Sequence, residues 1–298
     1  MNEIPVLLLA VLIDIILGEP PTILHPVVHM GSIITWMKGI LNKTRLSGII
    51  MTLVVVSVFT APALLIGYLN EPLYTLIAAV LLSTVISIRM LFTSALDIGR
   101  SLDNSIDEAR EKLSYLVSRD TTTLTDEQII SATIETLTEN LTDSVTAPLF
   151  YFILLGLPGA FLYRAVNTLD AMVGYLDDEN RDLGWFPARL DDILNYIPSR
   201  VTGFMIVLAA FFLSMNWKNS LRILLRDARH TPSPNSGFTM AAAAGALSVQ
   251  LEKPGVYVLG DPRELLSTEK LKDALKLSSI SLVLFIVSAT GIIILVIP

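Results

Sequence analysis

Acidic, amide and arginine side chains recur at helical spacing between Arg119 and Arg200, in a chain that is otherwise strongly apolar. Glu135 and Glu139 are four residues apart, which places both carboxylates on one face of a helix. Carboxylates that lie close together can hold Mg²⁺ or transfer protons. Arginine suits phosphate groups because its planar guanidinium pairs with two oxygens at once. The segment therefore predicts metal, phosphate or proton-transfer chemistry.

Two further polar groups follow along the chain. Asn167 and Asp170 are three residues apart, and Gly174 lies one more helical turn along. A second stripe near one helical face consists of Arg189, Asp192, Asn195 and Ser199. Ionisable groups beside membrane-length apolar runs are costly to keep there, so a functional site is the first hypothesis. The alternative is that these residues form the solvated faces of ordinary surface helices, with Arg189 and Asp192 as a plain ion pair.

The composition places the chain among membrane proteins. Its 298 residues are 52% hydrophobic and only 16% charged, with a mean hydropathy of +0.62, which predicts a multi-pass membrane protein. The net charge of −7 argues against nucleic-acid binding, because that function needs a basic surface. The chain has no cysteine, so disulfides, thiolate metal sites and cysteine nucleophiles are excluded.

We predict an all-α fold in which only some of the apolar segments are long enough to cross a bilayer. Residues 46–68 are long enough to cross a bilayer, and residues 73–88 are predicted to return after a tight turn, so that the two make a hairpin. Residues 277–297 are predicted to close the chain as a further span. Residues 4–17 are shorter than the roughly 20 residues that a crossing needs, so this segment is a doubtful span.

Two other apolar segments are interrupted. Residues 145–163 contain Pro148 and the sequence Gly-Leu-Pro-Gly at 156–159, which favours a broken or re-entrant pair of half-helices. Residues 201–215 have the same ambiguity because they are short. Whether these two segments cross the bilayer or fold back is left open.

Several polar or small-residue segments are predicted to pack around the spans. Residues 89–118 and 218–229 have the charge and apolar pattern of amphipathic helices. The second of these leads into a rigid loop at 231–237, which contains two prolines and a terminal glycine. Residues 241–249 are mostly small, so this helix can pack closely against another.

Two local motifs set element boundaries. Thr125 and Gln128 form a capping box, so a helix is predicted to begin at Asp126. His25 precedes Pro26, which holds its backbone extended, and residues 25–31 are predicted to be a loop.

These segments are predicted to form a single membrane-embedded domain over residues 1–298. Its parts are a transmembrane hairpin at 46–88, a polar helical catalytic segment at 89–200, an inner-face amphipathic segment at 216–276 and a C-terminal span at 277–297. The distribution of Lys and Arg places both termini on the outer face. Residues 164–200, which contain four arginines, are predicted on the inner face.

Blocks of residues in a fixed order extend from residue 18 to residue 237. They are Gly18-Glu19-Pro20-Pro21 with His25-Pro26-Val27, Arg119-Asp120-Thr121, Glu139-Asn140 with Asp143, residues 165–175, Arg189-Leu190-Asp191-Asp192, residues 198–200, Asp227-Ala228-Arg229 and residues 232–237. Together these blocks resemble the adenosylcobinamide-phosphate synthases, the CobD/CbiB membrane proteins of cobalamin biosynthesis. Two departures are mild: Glu19 stands where many members have Asp, and His230-Thr231 stands where more basic residues are expected.

The resemblance implies an ATP-dependent amide ligase. Such an enzyme joins a carboxylate of adenosylcobyric acid to the amine of 1-amino-2-propanol phosphate, or of a related aminoalcohol phosphate, and uses ATP and Mg²⁺. The implied partners are the corrinoid, the aminoalcohol phosphate and membrane lipids, without nucleic acid. Association with other membrane enzymes of the late corrinoid pathway is left open. The implied location is the cell membrane, with the active site on the cytoplasmic face.

Roles can be assigned to the polar residues under this resemblance. The predicted catalytic residues are His25, Asp120, Asp170, Asp191 and Asp192. The predicted substrate and ATP contacts are Arg119, Asn140, Asn167, Gly174, Arg189, Asn195, Arg200, Arg229, Ser233 and Asn235. The predicted metal ligands are Glu135, Glu139, Asp143, Asp170 and Asp192.

The chemistry behind these roles is the activation of a carboxylate, most simply as an acyl phosphate, with Mg²⁺ neutralising phosphate charge. His25 or a carboxylate would take the proton of the amine. Backbone N–H groups of residues 233–237 would cradle a phosphate. The chain has no Walker motif, so the way in which ATP is held stays open.

Each assignment has an alternative. Glu135 and Glu139 would be a solvated helix face, and residues 233–237 would be only a turn. An intramembrane prenyl- or phospho-transferase is a rival enzyme, since Asn167 and Asp170 precede an acidic pair at 177–178, but Gly174 stands where a second Asp is wanted. A corrinoid or amine transporter is a rival from another class, because broken helices beside polar residues also describe transport sites. The absence of an inverted repeat argues against it.

Overall fold

The computed structural model describes residues 3–296 and consists mainly of helices. They are α1 (Glu3–Leu17), α2 (Pro26–Ile40), α3 (Arg45–Ile66), α4 (Leu73–Ser83), α5 (Ile88–Leu102), α6 (Ile106–Ser114), α7 (Asp126–Leu141), α8 (Ala147–Val173), α9 (Trp185–Leu194), α10 (Tyr196–Phe212), α11 (Trp217–Asp227), α12 (Ser236–Leu247) and α13 (Thr268–Val296). The predicted helical class is confirmed. The sequence analysis missed one short antiparallel hairpin, formed by β1 (Gln250–Lys253) and β2 (Tyr257–Gly260).

The apolar helices confirm the multi-pass membrane class. Four helical stretches are long and apolar enough to cross a membrane, and they are Arg45–Ile66, Leu73–Leu102, Asp126–Val173 and Thr268–Leu295. A pair bent by 45°, Trp185–Leu194 with Tyr196–Phe212, would make a fifth. The predicted spans at 46–68 and 277–297 are therefore confirmed. Helix α1 has only 15 residues and is not among these stretches, as its length predicted.

The predicted break in the apolar segment 145–163 is also confirmed. A π-helical turn, Thr142–Thr146, precedes α8, and Gly156 within α8 has a non-helical backbone (φ 67°, ψ −162°). Only glycine adopts such a positive φ without a steric penalty. Pro158 lies two residues further on and lacks the backbone N–H that a continuous helix would use. The segment is therefore two half-helices joined at Gly156.

Contacts within the chain define two compact units. Unit 1 comprises the chain up to residue 89, residues 143–195 and the chain from residue 289 onward. Unit 2 comprises residues 90–142 and 196–288. The predicted catalytic segment at 89–200 is thereby divided, since its first and last parts belong to unit 2 and its middle part to unit 1.

In unit 1, α4 packs principally against α1, and α3 packs against α8. The predicted hairpin of α3 and α4 is therefore wrong as a packing unit, although the two helices are consecutive. Tyr74 of α4 donates its hydroxyl hydrogen to Glu3 of α1 at 3.0 Å. The buried Asp14 of α1 accepts hydrogen bonds from the backbone N–H groups of Ile88 and Arg89, at 2.8 and 2.9 Å. It thereby satisfies donors that the start of α5 would leave unpaired.

Two predicted segments are wrong in their boundaries. Residues 26–31, predicted as a loop, are the first part of α2, because Pro26 occupies a first helical position where its missing N–H is not needed. The preceding His25 is extended (φ −84°, ψ 110°), as predicted. The amphipathic segment at 89–118 is two helices, α5 and α6, because Ser105 caps the start of α6 by accepting a hydrogen bond from the Glu108 N–H at 3.5 Å.

In unit 2, the predicted small-residue helix is confirmed as α12, which packs against α10 and α11. A Cβ atom at Gly245 would lie only 2.7 Å from the Asn219 carbonyl oxygen, so the approach of α11 requires glycine here. Asn219 donates its side-chain amide hydrogen to the Gly245 carbonyl at 2.8 Å, and Ser220 donates to the Ala242 carbonyl at 2.7 Å. Polar side chains of α11 thus bond to the backbone of α12.

Helix α7 begins at Asp126 with the predicted capping box, but the alternative that Glu135 lies on a solvated face is wrong. Glu135 is only 2% exposed. Its carboxylate accepts hydrogen bonds from Arg119 at 2.5 Å, from Tyr257 at 2.6 Å and from Ser131 at 2.7 Å. Burial raises the pKa of Tyr257, so its phenol stays protonated and remains a donor. The periodicity of α7 could not show this, because Arg119 and Tyr257 come from distant parts of the sequence.

We predict that Glu135→Ala destabilises the protein by about 3–5 kcal/mol, because breaking a buried pair leaves Arg119 without its partner. The unfolding of the detergent-solubilised protein, followed against temperature and denaturant, measures this. Glu127→Ala is the matched control, since Glu127 lies exposed in the first turn of the same helix. Equal losses for the two variants would contradict a structural role for the Glu135 carboxylate.

We also predict that residues 164–200 lie on the inner face. The absence of natural cysteine makes single-cysteine labelling clean. Leu176 is a suitable position because it is 87% exposed. In intact cells an impermeant maleimide should label Cys introduced at Glu71, in the predicted outer turn, and should not label Leu176→Cys. Labelling of both positions to the same extent would show that the assignment of sides is wrong.

Candidate functional site

A chain of hydrogen bonds in unit 1 ends on the buried carboxylate of Asp191. Tyr163 donates its hydroxyl hydrogen to the Asn195 amide oxygen at 2.9 Å, and the Asn195 amide donates to Asp191 Oδ2 at 2.9 Å. The Asn167 amide donates to Asp191 Oδ1 at 3.4 Å, and Arg164 Nη1 contacts the Asn167 amide oxygen at 3.5 Å. We call these five residues the Asp191 network.

The network follows from helical spacing on two helices. Tyr163 and Asn167 are four residues apart on α8, and Asp191 and Asn195 are four apart at the end of α9. Each pair therefore lies on one face of its helix, and α8 packs against α9. The structure thus brings together three of the predicted residues, Asn167, Asp191 and Asn195.

Asp192, the neighbour of Asp191, has a different environment. Its side chain is 29% exposed, and Arg189 Nη1 lies 3.9 Å from its Oδ2. The Arg189 side chain is 70% exposed, and an exposed pair of this kind is worth at most about 1 kcal/mol. This ion pair is consequently too weak to explain, by its contribution to stability, why the chain has both Arg189 and Asp192. Asp192 remains reachable by a metal ion or a phosphate, as its predicted role requires.

The side chain and carbonyl of Asp170 occupy the space that a side chain at position 174 would need, so residue 174 is glycine. Gly174 ends α8, and its N–H donates to the Asp170 carbonyl oxygen at 2.7 Å. A Cβ atom built on Gly174 would lie 2.0 Å from Asp170 Oδ1 and 2.6 Å from the Asp170 carbonyl oxygen. The sequence analysis predicted Gly174 as a substrate or ATP contact, but the group that occupies the space beside it is Asp170 itself.

His25 is held by bonds at both ring nitrogens. Its Nε2 lies 3.1 Å from Glu19 Oε2, and its Nδ1 accepts from the Val27 N–H at 3.3 Å. Because Nδ1 is the acceptor, Nε2 carries the ring proton and donates it to Glu19. The neutral ring therefore has no unused lone pair for the proton of an amine. This geometry favours a positioning role for His25 over the predicted proton-acceptor role.

Glu19 is a residue whose importance the sequence analysis missed. Ser87 donates to Glu19 Oε1 at 2.5 Å, and the hydrogen bond from His25 is the main factor that lowers the pKa of the Glu19 carboxyl. Glu19 is therefore ionised at neutral pH and carries a negative charge into unit 1. The only signal in the sequence was its place in the Gly-Glu-Pro-Pro block.

Arg164 was also missed. Its Nη1 contacts the Asp143 carbonyl oxygen at 3.5 Å in addition to Asn167, and its buried Nε has no hydrogen-bond partner within residues 3–296. A signal was present, because Arg164 lies three residues before Asn167 in an apolar helix, where a charged side chain is costly.

In unit 2, Arg200 lies between two aromatic rings. Its guanidinium carbon is 3.6 Å from the ring centroid of Tyr196 and 4.0 Å from that of Phe238, an arrangement that stabilises the cation. Its Nη1 donates to the Asn235 amide oxygen at 2.8 Å, and its Nη2 donates to the Pro234 carbonyl at 3.2 Å. Arg200 thus holds the loop before α12.

The predicted phosphate loop has the contacts of an ordered turn. Thr231 donates to the Ser233 carbonyl at 2.8 Å, and the Asn235 N–H donates to the Ser233 hydroxyl at 3.2 Å. A Cβ atom at Gly237 would lie 2.2 Å from the Ala228 carbonyl oxygen, so the glycine permits close packing on the end of α11. These contacts favour the turn alternative for residues 233–237. Arg229 beside it is exposed.

The block that begins at Asp227 has a structural role in unit 2. Arg226 binds the Asp227 carboxylate through Nε at 2.5 Å and Nη2 at 2.7 Å. The Gly260 N–H donates to Asp227 Oδ2 at 2.8 Å. Because Asp227 is only 2% exposed, this carboxylate fastens the end of α11 to strand β2.

The other predicted residues of unit 2 are engaged locally. Asp120 accepts hydrogen bonds from the N–H of Thr122 at 2.9 Å and from its hydroxyl at 2.7 Å, and these bonds lower the pKa of Asp120. The Asn140 amide donates to the Thr136 carbonyl of its own helix at 3.0 Å. Arg119 is bound to Glu135. These contacts stabilise turns and helices, and the functional roles of the three residues stay predictions.

The predicted metal ligands are divided between the units, with Glu135 and Glu139 in unit 2 and Asp143, Asp170 and Asp192 in unit 1. Among residues 3–296, no three His, Asp or Glu side chains are grouped so as to hold a metal ion. The Glu135 carboxylate is already occupied by three donors, which disfavours it as a ligand. Mg²⁺ commonly uses one or two carboxylates together with phosphate oxygens and waters. A magnesium role therefore stays a prediction for the unit 1 acids.

Comparison with known proteins identifies the family. The sequence model described as CobD/Cbib protein matches residues 7–284. A probable cobalamin biosynthesis protein CobD of Methanothermobacter thermautotrophicus is 70% identical over 298 residues, covering 100% of both chains. A second, of Methanothrix thermoacetophila, is 39% identical and covers 94% of this chain and 93% of its own. The cobalamin biosynthesis protein CobD of Clostridium tetani is 34% identical and covers 94% and 95%.

The chain therefore belongs to the CobD/CbiB family of cobalamin biosynthesis proteins. The resemblance found in its motif blocks is confirmed at the level of the family. No solved structure matches the chain.

We predict that Gly174→Ala impairs function, because the added methyl group displaces the Asp170 side chain. The measurement is restoration of cobalamin synthesis in cells that lack their own member of this family, with the amount of membrane-inserted protein determined in parallel. Gly39→Ala is the matched control, since a Cβ atom at Gly39 of α2 meets nothing within 4 Å. Full restoration by a normally inserted Gly174→Ala protein would show that the position of Asp170 is not critical.

Proposed function

We propose that the chain is an ATP-dependent amide ligase of cobalamin biosynthesis. It would join a carboxylate of adenosylcobyric acid to the amine of (R)-1-amino-2-propanol phosphate, or of a related aminoalcohol phosphate, and give adenosylcobinamide phosphate. Family membership supports the pathway, and the motif blocks support the reaction. The observation that carries the proposal is the Asp191 network, in which a carboxylate, two amides and an arginine are gathered within a unit built of apolar helices.

The reaction requires activation of the carboxylate, since amide formation from a free carboxylate is unfavourable in water. A carboxylate oxygen of the corrinoid would attack the γ-phosphorus of ATP and release ADP. The amine would then attack the acyl carbon, form the C–N bond and release phosphate and a proton. Mg²⁺, when bound, would neutralise phosphate charge during the first step.

The residues of unit 1 divide into two groups under this proposal. Asp191 has both oxygens bonded to amides; it would orient the part-buried Asn167 toward a polar group of a substrate, while Asn195 holds the carboxylate in place. Asp192 is partly exposed, so it suits a magnesium ion or its bound waters. Glu19, ionised and held by His25 and Ser87, keeps a negative charge in unit 1 that would attract the protonated form of the amine.

Phosphate groups need cationic partners, and unit 2 supplies two candidates. Arg229 is exposed, and no side chain of the described residues pairs with it. Arg200 is already bonded to the loop before α12, so Arg229 is the better candidate for an ATP or aminoalcohol phosphate. The cytoplasmic face of the cell membrane is the location that gives access to ATP.

We predict that the purified protein hydrolyses ATP only when both the corrinoid acid and the aminoalcohol phosphate are present, and that the amide forms in the same amount as ADP. Product analysis by chromatography and an ADP assay measure this. Corrinoid transport into vesicles without coupled ATP hydrolysis or amide formation would instead support a transporter.

We further predict that Asp192→Asn lowers the rate of amide formation by at least about 100-fold, or roughly 2.7 kcal/mol of barrier. The reason is that a group holding metal or phosphate loses its charge, whereas an exposed ion pair contributes little. A Mg²⁺ series should recover part of the loss. Asp182→Asn is the matched control, because Asp182 is an exposed acid of unit 1 that pairs with Arg45. A near-normal rate for Asp192→Asn would move the metal role to Asp170.

A further inference from the structure

The guanidinium of Arg164 uses only some of its hydrogen-bond donors within the described residues. It lies on α8, inside a helical stretch long and apolar enough to cross a membrane. Its Nη1 makes two contacts of 3.5 Å, with the Asp143 carbonyl and the Asn167 amide oxygen. Its Nε is buried and has no partner among the described residues. Charged groups in such a setting are normally fully paired, so this donor requires an explanation.

The charge of Arg164 is balanced without filling its hydrogen-bonding capacity. Glu19 and Asp143 are close enough to interact with it electrostatically. The Glu19 oxygens, however, are taken by His25 and Ser87, at 3.1 and 2.5 Å. Unit 1 therefore keeps the arginine charged and leaves a strong donor for another group.

We propose that Arg164 binds the carboxylate of the corrinoid acid and presents it for activation. This inference rests on the proposed ligase function and names the residue that recognises its acid substrate. A carboxylate pairs with the Nε edge of a guanidinium through two parallel hydrogen bonds, and Nε is the donor without a partner here. Asn167, bonded to both Arg164 and Asp191, fixes the side of the guanidinium that faces α9.

The local charge favours a carboxylate over a phosphate. Two acidic side chains, Glu19 and Asp143, already surround Arg164. A singly charged carboxylate adds less repulsion than a doubly charged phosphate in a poorly solvated place. The phosphates of the reaction are accordingly assigned to cations other than Arg164.

The test is direct binding in the absence of ATP. The detergent-solubilised full chain is titrated with the corrinoid acid and, separately, with the same corrinoid in which that carboxylate is a primary amide. Arg164→Gln should weaken binding of the acid by about 10- to 100-fold and leave binding of the neutral amide unchanged. Arg164→Lys should recover only part of the loss, because an ammonium cannot pair with both oxygens.

Two other variants make the result independent of a folding defect. Asn167→Asp keeps Arg164 but places a competing carboxylate 3.5 Å from its Nη1, so it should also weaken the acid selectively; because it removes the amide donor to Asp191, its membrane-inserted amount and its binding of the neutral amide are measured alongside. Arg100→Gln is the control, since Arg100 is an exposed arginine paired with Asp97, and it should bind the acid normally. In turnover assays, Arg164→Gln should raise the KM for the corrinoid acid more than the KM for ATP.

The outcomes separate this inference from the ligase proposal. If no amide forms but binding of the acid still depends on Arg164, the ligase proposal fails and the binding role stands. If amide forms and neither Arg164→Gln nor Asn167→Asp discriminates between acid and neutral amide, the binding role is wrong. Equal weakening of both corrinoids would show a structural role, and competition by inorganic phosphate stronger than that of the acid would show a phosphate site.

Discussion

Asp191 is a carboxylate buried in a unit of apolar helices, and both of its oxygens accept hydrogen bonds. Burying the charge costs several kcal/mol unless donors replace the lost water. The amides of Asn167 and Asn195 are those donors. The packing of α8 against α9 must therefore keep the Asn167 amide within reach of Asp191. The end of α9 must likewise keep the Asn195 amide within reach. A shift of α8 against α9 by one residue would remove the Asn167 donor from Asp191 Oδ1, whereas the Asn195 bond lies within the end of α9 and would remain.

Features encoded by a few adjacent residues could be predicted from the sequence. The capping box at Thr125, the spans at 46–68 and 277–297, and the break at Gly156 each follow from local chemistry, and the structure confirms them. Pairings between distant segments could not be predicted in this way. The packing of α4 on α1 and the hairpin of β1 and β2 depend on which surfaces meet, and an apolar pattern only shows that a face is buried.

The same distinction applies to the candidate site. Helical spacing grouped Asn167 with Asp170, and Asp192 with Asn195, whereas the structure joins Asn167, Asp191 and Asn195. Spacing could not separate Asp191 from Asp192, because adjacent residues differ by 100° around a helix and the direction of the neighbouring helix decides which one is buried. Arg164 was missed because its distinguishing feature is a buried Nε without a hydrogen-bond partner among the described residues, and only three-dimensional coordinates reveal this.

The break at Gly156 has an evolutionary consequence. In a continuous helix each residue advances the side-chain direction by a fixed angle, so a one-residue insertion rotates everything before it relative to everything after it. At Gly156 the backbone leaves the helical conformation (φ 67°, ψ −162°), and the angular phase starts again. An insertion or deletion within residues 147–155 would therefore not rotate the residues that follow Gly156 about their own helix axis. The half-helix that carries Arg164, Asn167 and Asp170 keeps its own orientation throughout such changes.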